Sequence, residues 1–169
     1  MNDDFLAQIF KHNNWANHQI IRACAALTDE QLDAAPVSAT MGTIRETLQH
    51  FVRSQHGYLS ILTVPVEERV RIEPEFAELE AAAAKSGAGL LALIRGETAG
   101  MPAPLKTRDG YAVEPSVVLN QVINHATEHR EQIKSMLTAL GATPPDIDGW
   151  DFGLAVGALR KLEVEGERS

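Results

Sequence analysis

The chain has a single cysteine, Cys24, so no internal disulfide can form, which fits a reducing compartment. Aromatic residues make up only 5% of its 169 positions, and that scarcity argues against a strand-rich fold, because sheets favour aromatic and β-branched side chains. Basic runs are missing too. Acidic residues outnumber basic ones by 23 to 15, for a net charge of −8. Such a surface repels phosphate backbones and anionic headgroups, so nucleic acid and membranes are not expected partners. No apolar run approaches the roughly 18 residues that a bilayer-spanning helix needs. The start Met1-Asn2-Asp3-Asp4 puts no basic segment ahead of an apolar one, as a secretory signal would. A cytoplasmic protein with a small-molecule substrate is the expectation.

What is present points to helix. Alanine and leucine are abundant, hydrophobic residues reach 44%, and the length suits one domain over 1–169. Phe5, Ile9, Ala16, Ile20, Ala23 and Leu27 recur at helical spacing and predict a first helix from about Asp3 to Leu27. Thr28 and Gln31 form a capping-box pair for a short turn closed by Pro36, and Thr43 with Glu46 opens a helix to about Leu62. Pro74 is placed as the first residue of a third helix reaching Arg95, with Gly87 and Gly89 as weak points inside it. Pro102 and Pro104 break the pattern between Gly96 and Glu114, where Asp109-Gly110 predicts a tight hairpin turn. A fourth long helix runs from Pro115 or Ser116 to Leu140 and stops at Gly141. A short last helix spans about Asp151 to Leu162, and the charged tail beyond frays. The expected fold is all-α: a four-helix bundle with a long irregular crossover before the fourth long helix and a short C-terminal helix.

The chemistry concentrates in His125-Ala126-Thr127-Glu128-His129. Histidines four apart share a helix face, so both rings can reach a point about 2 Å from each nitrogen. Both fall in the apolar stripe of Val118, Val122, Ala126, Ile133, Met136 and Leu140, and therefore point inward. A zincin would need glutamate directly after the first histidine; Ala126 stands there, so peptidase activity is not inferred. Spacing leaves the third ligand open between His50, beside Thr47, Ser54, Gly57 and Ile61 on a groove-like face, and His12 in the first helix. His18 and His56 read as peripheral. Nothing nearby would lower the pKa of Cys24, which reads as core. Trp15 and Trp150 can pack or line a cavity.

Asn13-Asn14-Trp15-Ala16-Asn17, the run Gly42 to His50, Asn120 to His125, His129-Arg130-Glu131-Gln132 and Pro144 to Trp150 together resemble the DinB/YfiT-like superfamily over nearly the whole chain. That resemblance implies a bundle, commonly a homodimer, whose metal ligands here are His50, His125 and His129. Members often carry glycine where this chain has Glu131, which should face solvent. It also implies one divalent ion, Ni²⁺ or Zn²⁺, with Fe²⁺ or Mn²⁺ as further choices. The function expected is a low-molecular-weight-thiol S-transferase; the alternatives are a metal-dependent hydrolase or a non-catalytic metal- or ligand-binding bundle. Gln121, Tyr58 and Trp150 are the candidate pocket groups.

Overall fold

Element boundaries follow local hydrogen-bond chemistry. The computed structural model describes residues 5–36 and 41–162; the expected helix start at Asp3 and the frayed tail after 162 lie outside them. Helix α1 spans Phe5–Cys24 and stops short of Leu27, because Thr28 is already extended as the N-cap of α2, Asp29–Leu32. The two predicted capping boxes are both present, and Thr43 with Glu46 opens α3, Ile44–Thr63. Helix α4 covers Leu79–Ile94, not Pro74 onward. Pro74 is held elsewhere, its carbonyl accepting from Gln49 Nε2 at 3.2 Å, and a 3₁₀ turn at Phe76–Glu78 intervenes.

Strands β1, Leu105–Lys106, and β2, Ala112–Val113, form an antiparallel hairpin across the predicted Asp109-Gly110 turn, with Leu105 opposite Val113. Helix α5 runs Pro115–Ala139 with proline in its first turn. Its end has the expected form: Gly141 is left-handed at φ 74, and Ala142 N–H donates back to Leu137 O. Helix α6 is Gly149–Ala155, earlier and shorter than predicted, since the Asp148 carboxylate accepts from the N–H groups of Trp150 and Asp151.

The four long helices close into a ring in which α1 packs on α4 and α5, and α3 packs on α5 and α4. Two apolar clusters fill it. One holds Ile20, Cys24, Leu48, Phe51, Leu79 and Ile133; the other holds Phe10, Leu62, Leu90, Val118 and Val122. Between them lies a buried polar belt drawn from all four helices. Arg130 donates to Asn13 Oδ1 and Asn17 Oδ1 at 2.8 and 2.5 Å, Asn17 Nδ2 to Gln55 Oε1 at 2.8 Å, and Gln55 Nε2 to Ser86 Oγ at 2.8 Å. A buried guanidinium is costly unless its donors find acceptors, and these asparagines, with Thr127 Oγ1 at 3.0 Å, accept three of its hydrogen bonds.

Cluster membership also fixes direction. Both α3 and α4 enter at the Leu48/Leu79 end and leave at the Leu62/Leu90 end, so they run parallel. Residues 64–78 must therefore travel back along the bundle. They do so against α3: Arg69 donates to Ile61 O and Val64 O, Arg53 to Glu73, and Gln49 to Pro74 O. The irregular segment before α5 stays at one end and folds its hairpin onto this return segment, through Arg69 to Lys106 O.

Candidate metal centre

Helices α3 and α5 are neighbours, and three histidines meet between them. The buried face of α3 carries Ile44, Leu48, Phe51, Val52 and Gln55, which turns His50 outward into the groove facing α5. On α5, His129 is buried beside Arg130, while His125 is half-buried one turn earlier. His125 Nε2 lies 3.0 Å from His50 Nε2 and 3.2 Å from His129 Nε2, and all three nitrogens fall within 4.8 Å of one another.

Proton bookkeeping favours a cation at this point. His129 Nδ1–H donates to Gln132 Oε1 at 2.8 Å, which leaves Nε2 of that ring with a lone pair. One N–H on His125 can serve only one of its two neighbours, so at least two lone pairs face each other. Nitrogens about 2.0–2.1 Å from a shared ion, at angles between octahedral and tetrahedral, stand about 2.8–3.4 Å apart. The lone pairs and the two separations around His125, 3.0 and 3.2 Å, fit a first-row divalent ion, and the His50 and His129 nitrogens stand within 4.8 Å of each other. Burial, then the neighbouring imidazoles, push the His125 pKa down to about 4, and burial likewise lowers that of His50. Both rings are thus neutral donors at physiological pH.

Around the triad, Tyr58 meets the His125 ring edge-on at 5.5 Å. Gln121 Nε2 points at the Tyr58 oxygen across a long 3.5 Å contact. Burial raises the Tyr58 pKa, and the charge of exposed Glu128 adds to the rise. Trp150 is not brought to the triad. It sits 71% exposed on α6, which packs mainly on α1, a helix that supplies none of the three histidines.

His12, the rival third ligand by periodicity, is engaged elsewhere: its Nε2–H donates to Ile147 O at 2.8 Å, and its ring packs on Trp15 and Phe152. His18 lies 3.6 Å from Glu80. His56, read as peripheral, lines a cavity beside the site. Glu131 is exposed and pairs with Lys134 at 3.2 Å, as expected. Cys24 is fully buried and its thiol is pushed up to about 12.

Two groups were not foreseen. Gln132 orients His129, and the available signal was its three-residue spacing on the same face. Arg130, buried against Asn13 and Asn17, anchors α5 where His129 projects; those two partners lie more than a hundred residues away, beyond any local pattern.

The DinB family model matches residues 1–155. No curated protein matches the chain.

Proposed function

The chain belongs to the DinB family, and from that premise we propose a metal-dependent enzyme that holds one divalent transition-metal ion on His50, His125 and His129. The observation carrying this reading is the approach of three Nε2 atoms from two helices, at 3.0 and 3.2 Å around His125. Such an ion supplies Lewis acidity and activates a thiol or water nucleophile near neutral pH.

The chain's own residues do the rest. Gln132 holds the proton of His129 on Nδ1 and so directs Nε2 inward. Tyr58 keeps its phenolic proton and offers an O–H donor beside His125, with Gln121 steadying its oxygen. The packed α3–α5 interface keeps water from the inner side of His129. Among the described residues, the groups in contact with the triad's rings are the Gln132 amide and the Tyr58 phenol, neither a base at neutral pH, while the exposed Glu128 carboxylate acts on Tyr58 through its charge alone. That supports a low-molecular-weight-thiol S-transferase over a hydrolase, which would need a base to take a proton from water. Nickel, zinc, iron(II) and manganese(II) all accept imidazole, so elemental analysis assigns the ion. Homodimer formation is an expectation of the family and is read by light scattering.

The test uses metal-loaded protein with a chlorobimane electrophile and cysteine, glutathione or coenzyme A, in which thiol sulfur displaces chloride. Turnover should be lost on chelation and in His125→Ala. Turnover unchanged by both would overturn the enzyme reading. Bound metal with no turnover on any thiol or ester would favour a non-catalytic binding protein.

A further inference from the structure

Beyond Tyr58 lies an open cavity of about 380 Å³, within the size range of small-molecule sites. Its floor continues the helix face of His50 through Arg53, Ser54, Gly57 and Ile61. One wall is the return segment at Arg69–Arg71, and the other is the hairpin turn at Thr107–Asp109. Four arginines line it against one carboxylate, Asp109, in a chain whose net charge is −8.

Among the described residues, ion pairs reach only two of the four arginines, and those two share one carboxylate. Arg53 and Arg71 share Glu73, the first at 2.7 Å. Arg69 donates instead to the carbonyls of Val64 and Lys106 at 2.9 and 2.6 Å, and Arg108 donates to the Arg69 carbonyl. Neither has a carboxylate partner among the described residues. Burial and the proximity of Arg108 lower the Arg69 pKa, and the charge of Glu67, beyond ion-pair distance, only partly opposes them. Gly57 keeps the floor clear, since a Cβ there would meet nothing within 4 Å. The helix forgoes about 1 kcal/mol relative to alanine at that position.

We propose that this cavity is an anion subsite, taking the carboxylate or phosphate group of a small molecule on Arg108 and its neighbouring guanidinium groups. The guanidinium fork matches both oxyanions in a bidentate way. Tyr58 belongs to both the cavity lining and the triad's surroundings, so a molecule anchored by its anionic end extends toward the histidines. The subsite stands on the arginines; its use as a substrate handle rests on the metal-centre reading above.

Calorimetric titration of the full chain with succinate, inorganic phosphate and neutral succinamide tests the proposal. Wild type should bind at least one anion and not succinamide, and the preferred anion identifies the oxyanion recognised. His125→Ala should bind that anion as wild type does, so metal chemistry can fail without touching this result. Affinity should fall about tenfold or more in Arg108→Gln and disappear in Gly57→Leu, with unchanged melting temperature in Arg108→Gln showing that the fold is intact. Binding of neither anion to wild type, or equal binding by Arg108→Gln, would overturn it.

Discussion

Gln132 determines which way His129 presents its lone pair, so the site depends on a residue that touches no ion. Removing the amide in Gln132→Ala frees the tautomer and the ring, and metal affinity should drop about 10- to 100-fold. A competition titration against a chromophoric chelator reads this. The neutral state of His125 has a stability consequence as well. Its folded pKa, about 4, lies below the ordinary 6.5, so between these values the unfolded chain binds a proton that the folded one does not. Stability of the metal-free protein should hold above pH 6.5 and decline as pH falls toward 4. The decline should be weaker in His125→Gln, as urea titrations at several pH values will show. Cys24, buried with its thiol held near 12, should stay inert to thiol reagents at pH 8 until the protein unfolds.

At the scale of an element, two glycines give opposite predictions for the same substitution. Gly57 sits in α3 with open space where a Cβ would go, so Gly57→Ala should stabilise by about 0.5–1 kcal/mol. Gly87 sits in α4 where a Cβ would lie 2.7 Å from Asn14 Oδ1, and there alanine should destabilise by about 1–3 kcal/mol. Equilibrium denaturation of both variants decides it. Read from sequence, glycine inside a helix is a uniform penalty, because the sign is set by a neighbour on another element. The same division runs through the fold. Capping boxes at Thr28 and Thr43, the Gly141 stop and the Asp109-Gly110 hairpin were legible, since their hydrogen bonds close within a few residues. The His125/His129 pair was legible for the same reason. His50 was not separable from His12 by spacing, because what distinguishes them is Ile147 O across the chain. Pro74 misled, since α3 captures its carbonyl; the arginine cavity was invisible because it joins three distant segments.

Across the whole molecule, the belt of Asn13, Asn17, Gln55, Ser86 and Arg130 divides the core into two apolar halves and ties the four long helices together. Burial lowers the Arg130 pKa to about 10, yet the group remains charged at neutral pH. Arg130→Leu strands two buried acceptors, Asn13 Oδ1 and Asn17 Oδ1, at about 1–3 kcal/mol each. We expect a loss of about 2–6 kcal/mol in denaturant titration, with weaker metal binding because α5 loses its anchor beside His129. Apolar packing at either end cannot restore those bonds. The proposed metal centre requires His50, contributed by a different helix from the other two rings, to share one ion with them. Elemental analysis of wild type and His50→Ala, each saturated with divalent metal and then desalted, tests this most directly: the prediction is one ion per wild-type chain and far less in the variant, whereas full retention by His50→Ala would contradict it.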